Sequence, residues 1–136
     1  MINRGLVRDY LERCGHRLAA IHVLYDRAAW ADVVRESQEV VELALKALLR
    51  HINVDPPRVH DVGRVVQEQH HALPEGLRAH AGRMAAISKQ LRRDRELAFY
   101  GSEDLTPGEF YVEDDARRAR DDARWLVETI TAELLS

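Results

Sequence analysis

The chain has 136 residues, 46% of them apolar and 32% charged. That is about one ordinary domain, with enough apolar material for a core, which excludes global disorder. No stretch reaches the roughly 18 uncharged apolar residues of a membrane-spanning helix, and a net charge of −3 argues against a bulk nucleic-acid binder, which is usually clearly basic.

The first segment is charged throughout, MINRGLVRDYLERCGHR, and lacks the apolar stretch of a secretory signal. Val7, Leu11, Cys14, Leu18, Ile21 and Tyr25 recur at spacings of three and four, the period of one helix face. Cys14 falls on that stripe and reads as an inert core thiol. As the single cysteine of the sequence, it excludes an internal disulfide and a Cys-rich zinc site. The sequence predicts a turn at Asp26 or Arg27. A second helix follows, with Trp30, Val34, Ser37, Val41, Leu45, Leu48 and Ile52 on its stripe.

Asn53 and Pro56-Pro57 end that helix, since Pro cannot continue one and restricts the residue before it. Asp61 is placed to cap a short third helix over 62–71. Leu73-Pro74-Glu75-Gly76 breaks the pattern. A fourth helix follows, with Leu77, Ala81, Met84, Ile87, Leu91 and Ala98 inward. The stretch YGSEDLTPGEFY reads as a loop. The last helix covers about 113–135, and Ala116, Ala119, Ala123, Leu126, Val127, Ile130 and Leu134 form its apolar face. No segment alternates with period two. The expectation is all-α: an up-and-down bundle of four long helices and one short one, forming a single domain over 1–136 in the cytoplasm.

Charge is unevenly spread. From Arg78 to Arg95 there are six bases (Arg78, Arg83, Lys89, Arg92, Arg93, Arg95) against one acid, Asp94. From Glu96 to Asp115 there are seven acids and no base. Such a step sets a positive field beside a negative one, and a solvated helix before an acidic loop is its simplest reading. Nucleotide fingerprints of the GxGxxG and GxxxxGK[ST] types are absent, as are GxSxG and HExxH. Seven histidines raise the question of metal. A di-metal bundle needs paired Glu-x-x-His motifs, and Glu68-x-x-His71 has no second copy. The expectation is no metal and no cofactor.

The run YDRAAWADVVRESQEVVELALKALLRHINVDPPRVHDVGRVV resembles the N-terminal half of a HEPN (higher eukaryotes and prokaryotes nucleotide-binding) domain. The matching residues are Glu42, Ala44, Lys46, Ala47 and Leu49 on the helix, Pro57 in the loop, and His60-Asp61 opening the next helix. The run RELAFYGSEDLTPGEFYVEDDARRARDDARWLVETI is similar to the family's end, where an Arg closes the fourth helix and an Ala-rich helix completes the fold. Apart from the name, Glu42 and Lys46 stand i, i+4 in the favourable order for an ion pair, and His60-Asp61 suits a helix cap.

The resemblance implies either a metal-independent ribonuclease or a non-nuclease relative. The family's nuclease signature is R-x(4–6)-H near the end of the fourth helix, completed across a dimer. An Arg there neutralises the scissile phosphate, and a His moves protons for the ribose hydroxyl and the leaving oxygen. The matching Arg here is Arg95, followed by Glu96, Leu97, Ala98, Phe99, Tyr100 and Gly101. Tyr100 or a neighbour takes the place of the His, and no His follows His80. A Tyr with an ordinary pKa of about 10 is a poor base at neutral pH, but it can donate a hydrogen bond or stack on a base. Two other strings fit the spacing, Arg17 to His22 and Arg64 to His70, both outside the family's catalytic position.

The first expectation is therefore a dimer or larger homo-oligomer that binds a nucleotide, RNA or a partner protein. It would work beside a small nucleotidyltransferase, as in a toxin–antitoxin module. Arg92, Arg93, Arg95, Phe99 and Tyr100 would line its cleft, with Arg83 and Lys89 widening the basic patch. Tyr100 and Tyr111 are candidate acceptors of AMP from such a transferase. The alternative is a ribonuclease with a variant site, in which Arg95 is catalytic and Tyr100, Glu96 or Glu103 replaces the His. A third reading is an adaptor in which Arg95 only pairs with Glu103 or Asp104. Trp30 and Trp125 read as packing residues.

Overall fold

A computed structural model describes residues 2–58, 61–100 and 106–135, and for 94–100 the backbone alone. The described residues contain helices and no strand. Helix α1 (Arg4–Asp26) starts at Asn3, whose side-chain oxygen accepts the Leu6 N–H at 2.9 Å. It ends where the Ala28 N–H reaches the Tyr25 carbonyl and the Ala29 N–H reaches that of Leu24. This closing motif puts Ala28 at φ 59°, a left-handed position where glycine is usual. The turn therefore falls at Arg27-Ala28, directly after Asp26, where the sequence predicts it.

Helix α2 (Trp30–His51) is the centre of the bundle. Its buried residues include Val33, Val34, Val40, Val41, Ala44, Leu45, Leu48 and Leu49, far more than one stripe, because α1, α5 and α7 all pack on it. Each fully buried leucine contributes about 1.5–3 kcal/mol. The helix closes as α1 does: the Asn53 N–H bonds the Arg50 carbonyl and the Val54 N–H that of Leu49, with Asn53 at φ 60°. Asn tolerates that conformation better than Ala. The predicted Glu42–Lys46 pair forms at 3.8 Å.

Asp61 caps helix α3 (Val62–Glu68), as expected, by accepting the Arg64 N–H at 3.3 Å. The predicted continuation to His71 is a separate 3₁₀ turn over His70–Ala72. Leu73 is buried, Pro74 redirects the chain, and a single helical turn, α4 (Glu75–Arg78), precedes α5 (Ala81–Tyr100). The expected fourth helix therefore splits at Ala79-His80. The stretch read as a loop contains one further turn, α6 (Pro107–Phe110), with Thr106 as its cap and Pro107 at its first position. Helix α7 (Glu113–Leu134) buries Ala116, Ala119, Ala123, Leu126, Val127 and Ile130, the predicted face apart from Leu134, which is partly buried. The four long helices of the expected bundle are present, and the short segments number more than the one foreseen.

Helices α1 and α2 are antiparallel: the Cys14 thiol donates to the Val40 carbonyl at 3.6 Å, and Arg17 pairs with Glu36 at 3.6 Å. Helices α5 and α7 are also antiparallel, with Arg83 over Trp125 near one level and Leu91 beside Ala119 at another. The start of α2, the second half of α5, α6 and the start of α7 therefore share one end of the bundle. No helix among the described residues is long and apolar enough to cross a membrane.

Candidate functional site

The basic stripe of α5 lies on its solvent side. Met84, Ala85, Ile87, Ser88 and Leu91 are buried, whereas Arg83, Lys89, Arg92 and Arg93 are exposed. The cations are held differently. Arg92 stands 3.8 Å from Asp61, so the acid that caps α3 also ties α3 to α5. Arg83 lies over Trp125, its guanidinium carbon 3.7 Å from the ring centroid, which is a cation–π geometry. Trp125 also meets His80 edge-on at 5.4 Å, and Trp30 meets Tyr25 edge-on at 5.1 Å. Both tryptophans pack against the core, as predicted.

The side chains of Arg95, Phe99 and Tyr100 lie outside the described residues, and so do His60, Glu103 and Asp104. Tyr111 is only 4% exposed and packs edge-on against Phe110 at 4.9 Å. In the two alternative Arg-to-His strings each residue has a local partner. Arg17 pairs with Glu36 on α2 while His22 faces Asp26 at 3.5 Å. Arg64 pairs with Glu68 at 3.0 Å while His70 Nδ1 lies 3.1 Å from the Gln67 carbonyl. Among the described residues no group of three or more His, Cys, Asp or Glu is placed to hold a metal ion.

Where α5, α6 and α7 meet α2, they border a cavity of about 200 Å³ that opens to solvent. Val34, Leu91 and Ala119 form its apolar wall, and Phe110 and Tyr111 bring two rings to it. Gln90, Asp115, Arg118 and Asp122 supply its polar groups. The two acids differ. One oxygen of Asp115 accepts the Val112 N–H at 3.0 Å, which caps α7, and the other takes the Arg118 guanidinium at 3.3 Å. Asp122 makes no hydrogen bond or close ion pair among the described residues. Burial raises its pKa above the ordinary carboxylate value, against the opposing influence of Arg83 and Arg118.

Sequence reasoning missed Phe110 and Asp122 as site residues. The signal for Asp122 is its place between Ala119 and Ala123, where a carboxylate borders a buried stripe of small residues. The signal for Phe110 is Thr-Pro-Gly-Glu, a cap followed by Pro and then an acid, which predicts a helical turn inside the acidic loop.

The helical bundle formed by the described residues is the architecture that the resemblance implies. The model of the HEPN domain matches residues 7–134, and the chain belongs to that family. Membership supports a nucleotide- or RNA-related role in general. No curated protein and no solved structure matches the chain.

Proposed function

We propose that the chain is a cytoplasmic, dimeric HEPN protein that binds RNA, a nucleotide or a partner protein at the end of the bundle where α5 closes, and that it lacks the family's usual nuclease chemistry. One observation carries this reading: Arg95 is followed by Glu-Leu-Ala-Phe-Tyr-Gly, and no histidine occurs after His80. Without an imidazole, a group that both accepts and donates protons near neutral pH is missing from the motif. The anion-binding half remains, in Arg93 and Arg95, with Arg92 partly committed to Asp61. Phe99 and Tyr100 add rings on which a base can stack. A small nucleotidyltransferase is the partner we assign, in a toxin–antitoxin type of module. Tyr100 is the better acceptor for AMP, because the ring of Tyr111 is buried against Phe110.

The test is RNA cleavage by the purified protein in EDTA, beside Arg95→Ala shown to be folded by its helical circular dichroism. The expected result is no cleavage by either protein, with RNA binding weakened at least tenfold in Arg95→Ala. Cleavage by the wild type that disappears in Arg95→Ala overturns this reading. It would establish a ribonuclease with a variant site, and Tyr100→Phe, Glu96→Gln and Glu103→Gln would then identify the proton-transfer group.

A further inference from the structure

The cavity beside α5 has the chemistry of a nucleobase site more specific than the basic stripe. A stripe of arginines recognises phosphate and carries no base preference. The cavity offers an apolar wall in Val34, Leu91 and Ala119, an aromatic ring at 39% exposure in Phe110, and an acid, Asp122, in its lining. A cavity of about 150 Å³ holds benzene, so about 200 Å³, open to solvent on one side, admits a bicyclic base.

The carboxylate decides which base. An ionised Asp only accepts hydrogen bonds, with two oxygens side by side. The neighbouring acid is already engaged by the Val112 N–H and by Arg118, whereas Asp122 has no such partner among the described residues. It matches a ligand edge with two adjacent N–H donors. Guanine presents N1–H and the N2 amine side by side on its Watson–Crick edge. Adenine and cytosine each set one amine beside a ring nitrogen that accepts, and uracil sets one N–H between two carbonyls. Those three edges bring a lone pair against the carboxylate. Arg118, whose side chain is 68% exposed at the same cavity, adds a cation for the phosphate attached to the sugar.

We propose that this cavity binds a guanine base, with Asp122 accepting from N1–H and the N2 amine and Phe110 stacking on the ring; the proposal rests on the nucleotide- or RNA-binding reading above. The base can belong to a free guanosine nucleotide or to a single-stranded RNA, since both present the same edge.

The test is calorimetric titration of the full chain with GMP, IMP, AMP, CMP and UMP, beside a guanosine-containing oligoribonucleotide and an all-adenosine one of equal length. IMP is guanosine's nucleotide without the N2 amine, so it removes one donor with no change to the protein. GMP should bind at least tenfold more tightly than IMP or AMP. Asp122→Asn should bring GMP to the level of AMP, and Phe110→Ala should weaken all five alike. Guanosine preference seen with GMP assigns a free nucleotide as a sufficient ligand. Preference seen only in the oligonucleotide assigns RNA. Equal affinity for GMP and IMP together with equal affinity for the two oligonucleotides, or a preference that survives in folded Asp122→Asn, overturns the base site while RNA binding through Arg95 stands. Binding of neither nucleotide nor oligonucleotide overturns both readings.

Discussion

At the scale of single residues, burial raises the pKa of two groups among the described residues, Cys14 and Asp122. Cys14 is fully buried, and burial pushes its thiol up to about 12 from an ordinary 9.0. Thiolate is the reactive form, so this thiol is inert in the folded chain. Ellman's reagent should react with it only at the rate of unfolding, and 6 M guanidinium should make the reaction fast and complete. Rapid labelling of the native protein would contradict the burial. The linkage has a definite sign. A folded pKa above the unfolded one means that the contribution to stability is complete below pH 9 and is lost between about 9 and 12, because only the unfolded thiol ionises in that window. Stability lost across that window should be smaller in Cys14→Ala than in the wild type, as read by denaturant midpoints. Asp122 is shifted upward as well, so at neutral pH its ionised form weakens the fold. Its retention is easier to understand if something binds it. The sequence revealed Cys14 by its place on an apolar stripe, but Asp122 hid among the alternating charges of α7 because a half-buried acid looks like its exposed neighbours until α5 is set beside it.

At the scale of elements, period alone recovered the four long helices, since α1, α5 and α7 each bury a stripe against α2. Periodicity failed where the signal was one turn long. Helices α4 and α6 have four residues each, too few to show a repeat, and local capping chemistry was the only clue to α6. It also understated α2, whose near-complete burial comes from having neighbours on three sides. The crossing of α3 over α5 depends on a residue that periodicity does not weigh. A Cβ added at Gly63 would lie 2.8 Å from the Ser88 Cβ and 3.0 Å from the Ala85 Cα, neither of which can rotate away. Gly63→Ala should therefore force α3 off α5 and cost about 1–3 kcal/mol in denaturant unfolding. It should also loosen the Arg92–Asp61 tie. Gly76→Ala is the contrast, because the atoms nearest its added Cβ belong to the carboxylate end of Glu133, the far end of a flexible side chain. A Gly63→Ala protein as stable as the wild type would mean that α3 is not held by this contact.

At the scale of the whole molecule, the charge step read from the sequence becomes a boundary between two helices. Across α5 and α7 Arg83 acts electrostatically on Asp122, and at the start of α7 Asp114 pairs with Arg117 and Asp115 with Arg118. A chain with net charge −3 attracts a polyanion only where its cations cluster, so RNA contact should stay local to the basic stripe of α5. If Arg92, Arg93 and Arg95 are the phosphate contacts of one copy, the logarithm of RNA affinity should fall with the logarithm of salt at a slope of about −2, from roughly 0.7 released counterions per contact on a single strand. Two copies meeting over one RNA would bring the slope to about −4. That steeper value should appear only at protein concentrations where sedimentation shows a dimer. The slope therefore tests the dimer and the basic stripe together. A slope near zero would mean that phosphate is not contacted, and recognition would then fall to the cavity and its uncharged contacts with the base. A slope beyond about −6 would require cations from other faces, and the arginines of α5 would no longer define the binding surface.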